Sequence, residues 1–522
     1  MQRCWIIGLL FFAAICFSCS SKSNNGGNGG GGGGDGTNPP GPDITVGNAI
    51  TIDDVETATS GVAPASISLA ATPDGQWAVA YYRAGQLVPN GCTVPITGGG
   101  FTPDMLDEVS YAWFDGANWN LESVDQIHSS FLGGISLVFN KASPAQALIA
   151  YLGGPDSQQC CGGSKLIQAS RDTTGNWVIS NPPIVSSSGQ AASGTDPAHP
   201  DINDPGHYNC PVGQNLCDTG DMVGLWPSQA VAPDGTIGIV YKDLHLCYAI
   251  TDVDNSDVEL AYTNGTNWAH EWIDLGRGGG SYSRLVYDSN NVPAATFYNG
   301  TIGSIFFSKR GASQWPWDYC GKFGTQQYQC LPGYTCDNGG SQPSMRCGIE
   351  VATNVSGLPE GSLSLAIGPD GSYLLAHFDP KNFNLVFSYS TDGVTWQSGA
   401  IDTDGSIGKF PNILIDPKTK NPIVVYYRCG DYTDGLNCNP NSDGLRLAVF
   451  VGNYPGDLTT KAKWKRYDEQ YFPFDKSATD GSFASAAIQP DRTIGVAYLY
   501  TYTDSTGTHK YLMFRTITFN NQ

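Results

Sequence analysis

One phrase recurs along this chain. At residues 228–241 it reads Ser-Gln-Ala-Val-Ala-Pro-Asp-Gly-Thr-Ile-Gly-Ile-Val-Tyr: a strand-like run, a Pro233-Asp234-Gly235 turn, and a second run rich in β-branched residues. That pattern specifies a β-hairpin. Seven copies align on the turn, with first strands at 66–72, 135–140, 228–232, 283–288, 364–368, 412–416 and 485–489. Each carries a small polar residue at the same phase: Ser68, Ser136, Ser228, Ser283, Ser364, Asn412 and Ser485. A repeat of this length stacks one supersecondary unit on the next, and it constrains the fold more tightly than local propensity does.

A second landmark follows most copies: a strand, a Gly-containing turn and then Trp119, Trp177, Trp268 or Trp396, with Trp315 and Trp464 after looser turns. Four strands per unit predict an all-β fold, a seven-bladed β-propeller. The seventh copy ends with a strand at 511–519 and lacks a fourth. An orphan strand at 49–58 is left over at the start, so the last blade is expected to be completed by the N-terminal strand, which hides edges that would invite aggregation. Two stacked β-sandwiches fit seven copies poorly. The small polar residues should line a narrow, hydrated channel, and the Trp residues should pack between blades.

Residues 1–18 read as a secretory signal, with Arg3 in the charged region and an apolar stretch at 5–17 that is too short to span a bilayer. Cys16-Phe17-Ser18-Cys19 resembles a bacterial lipobox, which implies acylation of Cys19, although Cys16 and Phe17 depart from the usual pattern. Ser20 in the next position resembles outer-membrane sorting. Residues 19–43 form a Ser/Asn/Gly/Pro-rich tether with an unbroken glycine run at 29–34, reaching about 25–30 Å. The expected address is the outer membrane, surface-exposed or periplasmic, with membrane contact through the N-terminal lipid only. Residues 44–522 form the propeller. The chain's net charge of −21 disfavours nucleic acid and anionic lipid as partners.

Of 15 cysteines, Cys4 and Cys16 leave with the signal and Cys19 would carry lipid. The remaining twelve, in an exported chain, predict disulfides. Cys92, Cys160, Cys161 and Cys247 sit in long loops of three successive blades and would staple them. Cys210–Cys217 and Cys429–Cys438 look like local closures. Cys320, Cys330, Cys336 and Cys347 define a disulfide-rich insert in blade 4 at 320–347. The long insertions, at 84–108, 153–164, 187–225, 244–257 and 429–444, belong mainly to the connections that a propeller gathers on one face. Long loops on a rigid scaffold are where binding sites lie.

Candidate chemistry sits at the ends of the second strands. Arg83, Lys242, Asn299, Asp379 and Arg428 follow aromatic residues, among them Tyr82 and Tyr427. Mixed charge beside aromatic rings suits a carbohydrate or peptide ligand. Asp252, Asp254 and Asp257 stand at calcium-loop spacing, though Asp257 replaces the turn glycine, so calcium is a candidate ion and no other cofactor is indicated. A cluster of Asp196, His199, Asp201, Asp204 and His207 is a weaker metal candidate. No H-E-x-x-H, G-x-S-x-G, P-loop or dinucleotide fingerprint occurs.

The hairpin Ser390-Thr-Asp-Gly-Val-Thr-Trp396 is similar to the Asp-box of sialidase-like propellers, one residue short, and residues 170–177 match more loosely. The resemblance covers only these turns and implies the fold. It would also imply an arginine cluster, with Arg83, Arg284 and Arg428 as candidates. The leading expectation is a surface lipoprotein whose propeller binds a carbohydrate or a surface protein through disulfide-ordered loops. A secreted carbohydrate-active enzyme, sialidase-like glycosidase or lyase, and a structural component of a surface assembly are the alternatives.

Overall fold

The computed structural model describes residues 38–520 except 56–65, 73, 88–92, 97–99, 104, 129–132, 154–163, 187–221, 245–255, 265–266, 275–278, 301, 312–314, 316–320, 324–325, 329–334, 338–345, 360, 431–442, 469 and 473–477. Cys19, Cys92, Cys160, Cys161, Cys210, Cys217, Cys247, Cys320, Cys330, Cys438, Asp252 and Asp254 lie outside the described residues.

Seven antiparallel sheets follow one another along the chain. Their inner strands are Ile67–Ala71, Ile135–Phe139, Met222–Val231, Ser281–Tyr287, Leu363–Ile367, Ile407–Ile415 and Ala478–Ile488. These inner strands neighbour one another in ring order, the seventh against the first, which makes the fold a seven-bladed β-propeller. The apolar core is divided among the junctions. Ala78, Tyr82, Leu137 and Ile149 close blades 1 and 2, for example, and Val425, Leu447, Val496 and Tyr498 close blades 6 and 7.

The last blade borrows its outer strands from the N-terminus. Asp43–Val46 and Ile50–Asp54 both pair antiparallel with Thr508–Asn520, Asp43 opposite Asn520 and Ile50 opposite Phe514. Closure therefore begins at Asp43, ahead of the 49–58 strand expected, and is broken at 47–49. Ile44 and Ile52 turn into the cores on either side of this blade.

The outer-strand tryptophans pack across junctions, as large aromatics can. Trp119 meets Phe514 of blade 7 at 5.0 Å, Trp177 meets Tyr111 of blade 1 at 5.0 Å, Trp396 meets Phe307 of blade 4 at 5.1 Å, and Trp464 meets Phe387 of blade 5 at 4.9 Å. Second-strand tyrosines add a polar tie to the preceding blade: Tyr81 donates to Asp53, Tyr151 to Asp125 and Tyr426 to Asp402, each at 2.7 Å.

The small polar ring is a hydrogen-bonded clasp. Ser68, Ser136, Ser228, Ser364, Asn412 and Ser485 each accept from a backbone amide of the next blade, Leu137, Gln229, Leu285, Ile413, Ala486 and Leu69 respectively, at 2.9–3.2 Å. Blade 4 breaks the series. Its turn, with Asp288 N donating to Val292 O and Asn291 N to Asp288 O, shows that Asp288 takes the place of Ala232, so the phase expected from sequence is one residue out there. The ring position is Arg284, and Ser283 instead donates to Gly280 O at 2.9 Å. A guanidinium has no acceptor, so the clasp cannot form from blade 4 to blade 5.

The Asp-box hairpin is a turn cap. Asp392 Oδ1 accepts from the amides of Val394 and Thr395 at 2.8 and 2.7 Å, and these bonds hold its carboxyl down at about 2. In the blade 4 insert, Cys336 and Cys347 stand opposite each other on paired strands.

Candidate functional site

A cavity of about 300 Å³ runs at the centre of the ring and is lined by all seven inner strands. Each inner strand begins on the face that carries the long connections and ends at a short turn on the other. Residues two positions before the clasp therefore lie toward the loop face. They are Ser66, Gly134 and Ser362 in blades 1, 2 and 5, but Trp226, Tyr282, Phe410 and Phe483 in blades 3, 4, 6 and 7.

These four aromatics share an unusual backbone. Their φ angles are 47°, 58°, 50° and 53°, in the left-handed region, where a bulky residue costs on the order of 1–2 kcal/mol. Each follows by two residues a glycine that is itself left-handed, Gly224, Gly280, Gly408 or Gly481. The glycines are pressed onto the third strand of the preceding blade. A Cβ on Gly408 would come within 2.7 Å of Leu385 Cα, and one on Gly481 within 3.0 Å of Leu445 N. The inner strands slip register over the same residues. Bulges of this kind re-aim side chains beside functional sites. Here they turn four aromatic side chains onto the channel mouth.

The rings associate in two pairs. Trp226 meets Tyr282 edge-on at 5.2 Å, and Tyr282 stacks on Tyr298 at 6.0 Å. Phe410 meets Phe483 at 4.6 Å and Tyr427 at 6.0 Å. Blade 5 separates the pairs on one side of the ring and blades 1 and 2 on the other. Arg284 lines the cavity beneath the collar, one of its nitrogens donating to Ser283 O at 2.9 Å. Among the described residues the lining carries no carboxylate.

The second-strand residues occupy a layer behind this collar, and their roles differ. Lys242 is 4% exposed. Its ammonium lies 5.5 Å over the Trp226 ring and donates to Ser281 Oγ at 3.1 Å, so it braces the collar from behind. Burial pulls its pKa down to about 8 against the opposing charge of Asp257. Lys409, not singled out by the sequence, stands likewise 5.8 Å over Phe378. Tyr82 and Tyr427 are buried and donate to Gly134 O and to Asp443 at 2.8 and 2.6 Å. Burial raises the Asp443 carboxyl to about 7. Asn299 is buried and caps its own turn from Ile302 N, and Asp379 caps residues 379–383 by accepting from the amides of Lys381 and Asn382. Arg83 pairs with Asp53 at 3.4 Å. Arg428 lies against Gly405. Each of the five second-strand residues thus has a described neighbour in its own blade or the adjoining one.

Asp257 is buried directly across from buried Asp243 on the paired strand. Its neighbour Glu259 accepts from Tyr241 and is pushed up to about 8 by burial, with the charge of Asp257 adding to the shift. This Tyr–Glu pair lies in the core between blades 2 and 3, away from the central cavity. Among the described residues no group of three or more His, Cys, Asp or Glu side chains could hold a metal ion.

No protein-family model matches the chain, and no curated protein matches it in sequence. Among solved structures it is similar to an α-L-arabinanase from Penicillium chrysogenum complexed with arabinobiose, at 11% identity over 78% of this chain and 98% of that one, TM-score 0.42. It is similar to the intramolecular trans-sialidase from Ruminococcus gnavus, at 12% identity over 91% and 97%, TM-score 0.41. It is similar to an α-L-arabinofuranosidase from Fusarium graminearum, at 10% identity over 91% and 98%, TM-score 0.42. The likeness to sialidase-like propellers is weak and is one of fold alone.

Proposed function

We propose that this chain is a surface-exposed outer-membrane lipoprotein, anchored through an acylated Cys19 and carried on the 19–43 tether, whose propeller binds a carbohydrate at the loop-face mouth of its channel. One observation carries the reading: four aromatic residues held in a costly left-handed backbone, aimed at one cavity. Backbone strain persists where surrounding structure enforces it, and it clusters at binding and catalytic sites. Aromatic faces flanking a polar, ring-sized recess suit a sugar, whose apolar ring face stacks while its hydroxyls meet the serines and Arg284 below. A flat protein surface would not enter a recess of about 300 Å³. Loop disulfides would order the rim above it, and the disulfide at Cys429, next to the collar's Tyr427 layer, is in keeping with that.

The test is a glycan array probed with the compact unit Asn38–Gln522, with and without calcium. A bound glycan whose affinity falls about tenfold, ~1.4 kcal/mol, in Trp226→Asn and in Phe410→Asn supports the reading. An array without any glycan bound under either condition contradicts it. Mass spectrometry of the mature N-terminus tests the anchor, with a diacylglyceryl Cys19 expected and an unmodified N-terminus at another residue contrary to it.

A further inference from the structure

Two junctions of the ring carry the same four-residue cluster, and only one of them is filled. Between blades 1 and 2, Arg171 grips Glu122 with two nitrogens, Nε to Oε2 at 2.9 Å and Nη2 to Oε1 at 2.7 Å. Trp113 and Trp177 donate their indole N–H groups to the same carboxylate at 2.9 and 3.0 Å. Between blades 3 and 4, Arg310 grips Glu271 through the same atoms at 2.7 and 2.6 Å, Trp315 donates at 2.9 Å, and Tyr262 donates in place of Trp113 at 3.1 Å. Both clusters lie toward the short-turn face, opposite the collar.

The space beside the clusters is treated differently. At the blade 3–4 junction, Tyr287 turns in over Gly238, leaving no room for a Cβ there beneath its hydroxyl. The corresponding residues at the blade 1–2 junction are Phe139 and Ala78, which hold the same places in their hairpins. There a crevice of about 510 Å³ stays open, lined by Ala78, Tyr111, Trp113, Phe139 and Arg171. The blade 2 turn that overhangs it is longer than its blade 4 counterpart and is pinned to blade 3 by Lys141 Nζ donating to Pro233 O at 2.8 Å.

The geometry points to a second ligand site, in the crevice between blades 1 and 2, that takes the ring of a neutral sugar. The filled junction shows what shape fits: Tyr287 is a flat six-membered ring with a hydroxyl at its edge. In the open junction the fixed partners are the Trp113 ring, with the Arg171 guanidinium 5.8 Å from its centre, and a lining that also holds Asp74, Gln76, Asp172 and Thr173, the Asp172 carboxylate accepting from Thr174 N and Asn176 N in its own turn. A hydroxylated ring without net charge satisfies such a lining, where stacking supplies attraction and mixed donors and acceptors supply orientation. A tyrosine side chain from a protein partner would match the shape but offers a single hydroxyl to a lining with several polar side chains. This site does not depend on the collar reading.

The experiment uses the full chain carrying both Trp226→Asn and Phe410→Asn, which weakens both aromatic pairs of the collar, and compares it with the same chain carrying the crevice substitutions below. Saturation-transfer NMR with a panel of neutral methyl hexopyranosides should still detect binding. Adding Ala78→Gly and Phe139→Tyr, which copies the filled junction, should weaken it at least tenfold without lowering the melting temperature by more than a few degrees. Should that variant fail to fold, Phe139→Tyr alone should weaken binding in the same direction. Absence of sugar binding, binding undiminished by these substitutions, or binding of N-acetyltyrosinamide in place of the sugars would overturn the proposal.

Discussion

The inner strands carry two rings, one just above the other, and the two are built on opposite rules. In the lower ring, six blades repeat one device, a small side chain that accepts the next blade's amide. In the upper ring the blades disagree, with four strained aromatics and Ser66, Gly134 and Ser362 at one position. Uniformity marks what every junction needs for closure. Departure marks the positions that closure does not dictate, and the departures coincide, since Arg284 breaks the lower ring in a blade whose upper ring is aromatic. A third layer, on the second strands, sharpens this: tyrosine in five blades, Phe297 and His377 in the other two.

The largest effect should come from breaking the uniform ring. Ser136→Ala leaves the Gln229 amide buried without its acceptor and should cost about 2 kcal/mol of stability in chemical denaturation. A cost near zero would show that water replaces the hydroxyl and that the clasp is not structural. Arg284→Ser should act in the opposite sense. It restores an acceptor for the Leu365 amide and should stabilise by about 1 kcal/mol, while any channel ligand binds more weakly. Destabilisation on that change would mean that Arg284 is itself structural.

The smallest effect near neutral pH concerns the third layer. His377 is 2% exposed, and burial pulls its pKa from 6.5 to about 4. The unfolded chain then binds a proton between pH 6.5 and 4 that the folded chain refuses, so stability falls as pH drops through that window. His270 is shifted the same way, whereas the Glu259 and Asp443 carboxyls, raised to about 8 and about 7, hold protons in the folded chain and oppose this slope. His377→Phe, after the residue blade 4 uses, should leave stability at pH 8 within about 1 kcal/mol and reduce the loss at about pH 6 by a similar amount. An unchanged slope would assign it to His270.

The propeller is legible in the sequence because its determinants are local and repeated. Turn chemistry and strand alternation recur in seven copies and the Trp landmark in six, and the missing fourth strand announces the borrowed one. The collar leaves a trace as well: Gly224-Leu-Trp226, Gly280-Ser-Tyr282, Gly408-Lys-Phe410 and Gly481-Ser-Phe483 stand at fixed distance from the clasp. A glycine two residues before an aromatic does not look strained in sequence, so the trace carries no meaning by itself. The strain arises only when the preceding blade's third strand leaves no room for a Cβ. For the same reason, Lys242 reads as a solvent-facing ligand group yet lies buried behind Trp226. The slip from Ser283 to Arg284 comes from a turn without proline, where only the hydrogen-bond register sets the phase.

The collar is proposed above as a binding surface. The most direct measurement is the crystal structure of the compact unit with the tightest array glycan. A sugar ring is expected at the channel mouth in contact with Trp226 and Phe410, with Arg284 beneath it. A glycan seated on the outer loops, with the four aromatic rings untouched, would contradict it.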